Sequence, residues 1–164
     1  MSKKRLIFGI ICIIVYIVTI IMLVYYSMES GDKSIESSSG ITNVVGGVVD
    51  TIVPDKVDTK RPEFASLIRK LFGHFGLFTV NCFFGLLGFY LLCSKKWLNL
   101  VIVLPVGMAL AVITEVLQLH AGGRNYSVRD MFINSGGCLF GLCIAYLFIY
   151  IYNRKNNKKS NLVK

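Results

Sequence analysis

The sequence predicts an all-α integral membrane protein. It has four transmembrane helices, with one or two amphipathic interfacial helices in the first extracytoplasmic segment. Three observations predict this class. The chain of 164 residues is 54% hydrophobic with a mean hydropathy of +0.63, more apolar than a soluble domain of its size. Whole stretches of about 20 residues lack charge, the length that crosses a bilayer as a helix. The basic residues, which bring the formal net charge to +9, flank those stretches. There they read membrane orientation and lipid headgroups, so no nucleic-acid partner is expected. One small membrane domain remains, without a separate soluble core.

Residues 1–26 form the first span. Lys3, Lys4 and Arg5 precede an uncharged run from Leu6 to Tyr26. The run is too long for the apolar core of a signal peptide, and "SMESGDKS" offers no small-x-small cleavage site, so the span is expected to be retained. Residues 27–63 form an extracytoplasmic segment. Its "SGDKSIESSSG" is Ser/Gly-rich and is expected to be mobile. Ile41, Val44, Val45, Val48, Val49, Ile52 and Val53 then recur at helical spacing, and Pro54 stops them, which predicts a short amphipathic helix on the membrane surface. Phe64, Leu67, Ile68, Leu71, Phe72 and Phe75 repeat the spacing, with Arg69 and Lys70 on another face, and lead into the second span.

Residues 64–152 form a three-helix membrane domain. Its first helix runs from about Phe75 to Cys93, and "SKKW" makes a tight turn. The next runs from Trp97 to Leu119, with Pro105 inside it, which removes a backbone bond and bends the helix. Gly122 and Gly123 end it. The last runs from Val128 to Tyr150. Residues 153–164 are a basic cytoplasmic tail. The N-terminus, the turn and the tail carry 3, 2 and 5 Lys/Arg and no acid, whereas residues 27–73 hold seven acids against six bases. The positive-inside rule therefore places both termini in the cytoplasm.

Five cysteines, Cys12, Cys82, Cys93, Cys138 and Cys143, all lie in apolar runs and none forms CxxC. Buried thiols are expected, with no disulfide framework and no cysteine metal site.

The polar residues of the last three spans share helical faces. His74, Phe78, Asn81, Gly85 and Gly88 follow steps of three and four, as do Gly107, Ala111, Glu115 and Gln118, and Asp130, Asn134, Gly137, Gly141 and Ala145. Such steps put each set on one side of its helix. The directions of the helices bring all three polar ends to the outer leaflet. Small residues, Gly85, Gly88, Gly136, Gly137 and Gly141 among them, fall deeper, where they let helices approach closely in lipid. A polar mouth over a tightly packed floor is expected. Glu115 is its most demanding member, because a carboxylate within the bilayer costs about 2.5–3.5 kcal/mol unless paired or wet. His74, Arg124, Lys70 and Arg129 are its candidate partners.

At these residues the sequence resembles the VanZ-like family of bacterial membrane proteins. The matching pieces are "EVLQ" (Glu115, Gln118), "GGR" (Gly123, Arg124) and "SVRDMFINSGGCLFG" (Ser127, Asp130, Asn134, Gly136, Gly137, Gly141), with "RKLFGHF" (Lys70, His74) upstream. The resemblance covers about residues 64–149. It departs at Phe78, where many relatives carry a tyrosine, and near Leu77, where some carry an acid. It implies a multi-pass protein of the bacterial cell membrane, in a family named for a member that lowers susceptibility to the glycopeptide teicoplanin. It implies no agreed mechanism.

Lys70, His74, Glu115, Gln118, Arg124, Asp130 and Asn134 are thus the candidates for an outer cleft. Its expected partners are membrane lipid and a lipid-linked cell-wall precursor or lipoglycopeptide. Structural roles stand beside that one. Ser127 and Asp130 fit a capping box. Asn81 and Asn134 fit interhelical hydrogen-bond glue. His74 and His120 fit interfacial polar residues, and Arg124 an anchor on lipid phosphate. A membrane enzyme using Glu115 or His74 as acid–base is the alternative function, and a purely structural bundle subunit the third. His74, Glu115 and Asp130 are of a type that binds zinc, but no HExxH-like motif is present, so neither metal nor other cofactor is expected.

Overall fold

The computed structural model describes residues 2–52, 58–59, 61–93, 96–121 and 127–162. These form helices α1 (Lys3–Met28), α2 (Gly31–Ile52) and α3 (Pro62–Arg69), a π-helical turn (Lys70–Gly76), then α4 (Leu77–Leu92), α5 (Lys96–Gln118) and α6 (Val128–Leu162). Four segments are long and apolar enough to cross a membrane: Lys3–Met28, Glu63–Leu92, Asn99–Gln118 and Val128–Lys155. Among the described residues the protein is therefore all-helical with four candidate spans, as expected. Large apolar side chains such as Ile7, Ile14, Ile21, Val101, Phe140 and Tyr146 are exposed along them, which suits helices whose outer faces meet lipid.

Three elements differ from expectation. Helix α2 begins at Gly31 and takes in the Ser/Gly-rich stretch. Within it Ser39 donates to the Glu36 carbonyl at 2.7 Å, and Thr42 to that of Ser38 at 3.0 Å. Hydroxyls that bond back in this way cease to compete for the helix's own N–H groups. Helix α6 continues past the apolar run into the basic tail, to Leu162. Residues 151–162 contain neither glycine nor proline, so no breaker ends it where lipid would. The third is the π turn, which no periodicity signals. Its i→i+5 bonding widens one turn of an otherwise continuous helix, a geometry rare in proteins and frequent at functional sites.

Helix α1 belongs to the core rather than standing beside a three-helix bundle. Asn81 of α4 is fully buried and donates to the Tyr16 carbonyl at 3.0 Å and to the Thr19 hydroxyl at 2.8 Å. Gly85 and Gly88 lie under the Tyr16 ring and the Ile13 side chain, where a methyl group would sit 2.8 Å from either. These glycines therefore admit α1. At one end of the bundle Arg5 reaches the last turn of α4, donating to the Leu91 and Tyr90 carbonyls at 3.0 and 3.2 Å. Carbonyls of a final turn have no partner within their own helix, so the guanidinium caps it. Tyr90 in turn donates to Asn153 of α6 at 2.7 Å.

Helices α4 and α6 meet backbone to backbone. A methyl at Gly137 would overlap the Phe75 carbonyl oxygen, and one at Gly141 that of Thr79. The two glycines are four apart on α6, and so are their partners on the facing helix, which is the small-xxx-small geometry of membrane helices. Thr79 fastens the contact by donating to the Gly137 carbonyl at 3.1 Å. Gly136 does not share this role. A methyl there would meet only the Phe75 ring, at 3.9 Å. Deeper in the bundle Gly107 makes room for the Cys82 and Cys138 thiols, and both, with Cys12, are buried and unbridged. Cys93 and Cys143 are exposed instead.

Candidate functional site

The polar ends of the last three spans converge at the end of the bundle opposite Arg5. The π turn supplies Lys70 and His74, α5 supplies Glu115 and Gln118, and α6 supplies Asp130 and Asn134. Glu115 is 0% exposed and lies at the centre. Its Oε1 accepts from Gln118 Nε2 at 3.3 Å and from Asn134 Nδ2 at 3.4 Å, and its Oε2 accepts from the Ser127 backbone N–H at 3.4 Å. His74 Nδ1 is 3.9 Å from Oε1 and 3.1 Å from Asn134 Oδ1. Because the Asn134 amide turns its NH2 toward Glu115, its oxygen faces the imidazole and assigns the proton to Nδ1. Asn134 thus bridges His74 and Glu115.

Lys70 takes a different partner from the one expected. Its ammonium lies 2.7 Å from Asp130 Oδ1, in a partly buried ion pair. The capping box of Ser127 and Asp130 forms in one direction only. The Asp130 N–H donates to the Ser127 hydroxyl at 3.2 Å. The reciprocal bond, from the Ser127 N–H, goes to Glu115 of α5. The neighbouring helix therefore performs half of the cap, which frees the Asp130 carboxylate for Lys70 while it still favours the N-terminus of α6. Arg129 is exposed, and so is His120 at the end of α5. Arg124 lies outside the described residues.

One ligand atom each from His74, Glu115 and Asp130 lie within 4.8 Å of one another. Imidazole and carboxylate are zinc-type ligands. Here, however, the Lys70 ammonium already supplies positive charge at the Asp130 carboxylate.

Sequence reasoning did not find the space beside the cluster. A cavity of about 240 Å³ opens between α1, α2, the α3–α4 helix and α5. Leu23, Ile41, Ile68, Phe72, Leu77 and Phe78 give it a largely apolar wall. His74, Thr114 and Gln118 form one polar side, so His74 and Gln118 belong to both the cluster and the cavity. Arg69 and Glu29 also line it. Of the stripe Phe64–Phe75, Ile68 is buried and lines this cavity, Phe72 lines it while remaining exposed, and Leu67 and Leu71 are exposed. Arg69 and Lys70 do not share a face. Lys70 turns to α6 and Arg69 to the cavity.

A family model described as VanZ/LLP1 matches residues 8–149. The match includes most of α1, which the motif-level resemblance did not reach. No curated protein and no solved structure matches the chain.

Proposed function

The chain belongs to the VanZ-like family, and on that premise we propose that it is a non-enzymatic binding protein of the bacterial cell membrane. Its termini face the cytoplasm, and the cavity with its polar cluster opens at the outer leaflet. There it holds a lipid-linked envelope component or a lipidated glycopeptide and so lowers susceptibility to teicoplanin-type antibiotics. The observation that carries this reading is the juxtaposition of an apolar cavity with a largely buried polar cluster, joined through His74 and Gln118. Such a site suits a molecule with a hydrocarbon part and a polar part: burial of the first supplies affinity, and the few placed polar groups fix orientation.

The test is to express Glu115→Gln, Asp130→Asn and the wild type at equal membrane abundance in a susceptible host and measure teicoplanin sensitivity. Protection is expected from the wild type and to be lost in both variants. Full protection from both variants overturns the proposal.

A second reading rests on the His74–Asn134–Glu115 arrangement. An imidazole of assigned tautomer, beside a buried carboxylate and facing a cavity, is the layout of an acid–base pair. In that case the same molecule is modified rather than held. A product formed by purified wild type, and absent with Glu115→Gln, decides for the enzyme.

A further inference from the structure

Resting on the proposal that the cavity takes a lipid, we infer that its ligand is an amphiphile with an anionic headgroup, and that Arg69 is the group that recognises the anion. The largely apolar wall of the cavity, about 240 Å³, suits the hydrocarbon part of such a molecule.

Charge selects the headgroup. Arg69 is half-buried, lines the cavity, and makes no hydrogen bond or ion pair among the described residues. The other cations near the site differ. Lys70 is held by Asp130, and His74 is engaged with Asn134 and Glu115. Glu29, which lines the same cavity, is engaged in interactions of its own. Gly73 lies alongside the Arg69 side chain, with the Arg69 Cγ 3.9 Å from where its methyl would stand, and also lines the cavity. Arg69 thus borders an apolar chamber without a hydrogen-bond or ion-pair partner among the described residues, and its planar fork of donors suits bidentate contact with phosphate or carboxylate.

The test uses the full chain, purified in amphipol, with calorimetric binding of octyl phosphate, octyl glucoside and inorganic phosphate. Octyl phosphate is expected to bind about tenfold more tightly than octyl glucoside, the order of one charge-assisted contact. Arg69→Gln is expected to erase that preference by weakening octyl phosphate far more than octyl glucoside. Gly73→Leu, whose side chain enters the cavity from an uncrowded wall, is expected to weaken both amphiphiles. Equal binding of the two amphiphiles to the wild type, or a preference that survives Arg69→Gln, overturns the anionic headgroup and leaves the cavity reading standing. Inorganic phosphate binding as tightly as octyl phosphate overturns the role of the chain. Failure of both amphiphiles to bind the wild type removes the lipid cavity itself, and this inference with it.

Discussion

Replacing Gly141 by alanine tests the packing that holds the site together. Alanine favours a helix over glycine by about 0.5–1 kcal/mol, so on propensity alone the change stabilises α6. Packing opposes it. The new methyl overlaps the Thr79 carbonyl oxygen and lies 3.0 Å from the Thr79 carbonyl carbon and Cα, all of them backbone atoms that no rotamer change can move. Overfilling of this kind costs about 1–3 kcal/mol. Separation of the helices also strains the Thr79–Gly137 bond of 3.1 Å, and membrane interhelical bonds are worth about 0.6 kcal/mol on average. The sum is a net loss of roughly 1–3 kcal/mol. Gly136→Ala is the matched control. Its methyl meets only a ring carbon at 3.9 Å, so the propensity gain survives and stability holds or rises by up to about 1 kcal/mol. Reversible unfolding in mixed micelles, followed by circular dichroism, measures both. A loss at Gly136 equal to that at Gly141 would refute the backbone contact between α4 and α6.

Other outcomes follow from single contacts. Asn81→Leu removes both donations to α1 and is expected to cost about 1–2 kcal/mol in the same unfolding assay. Asn99→Leu has the opposite sign: Asn99 is 1% exposed and, among the described residues, neither amide atom has a hydrogen-bond partner, so an apolar replacement is expected to raise stability by about 1 kcal/mol. Lys70→Met leaves Asp130 without its cation and should cost about 1–3 kcal/mol, less than a fully buried pair because both side chains keep some exposure. Adding Asp130→Asn to it is expected to recover most of that loss, and a double-mutant cycle checks the coupling. Arg5→Ala uncaps the last turn of α4 and is expected to lose about 1–2 kcal/mol, seen also as faster amide exchange at Tyr90 and Leu91.

Much of the molecule was legible in the chain. Uncharged runs locate the four spans, because lipid admits few residue types and the signal needs no tertiary information. The steps of three and four that join Asp130 to Asn134 and Glu115 to Gln118 predicted a shared polar end, and those residues do converge. The same arithmetic misplaced other residues. Asn81 continues the face of His74 by spacing, yet it bonds to α1. Gly85 and Gly88 likewise face α1, and Gly136 is not tightly packed. A helical period says which residues share a side and is silent on which neighbour that side meets.

What the sequence by itself determined is therefore the solvent of each segment: hydrocarbon for the spans, water or interface for the charged stretches. Transfer free energy depends on composition over a short window, and composition is local. Tertiary structure alone decided the partners. It gave the Ser127 N–H to Glu115, gave Asp130 to Lys70, and turned Arg69 toward a cavity that needs four separate segments to enclose it. Those assignments depend on distances of a few ångströms between helices far apart in the chain, and on one π turn whose extra residue shifts a face without changing the hydropathy of anything around it.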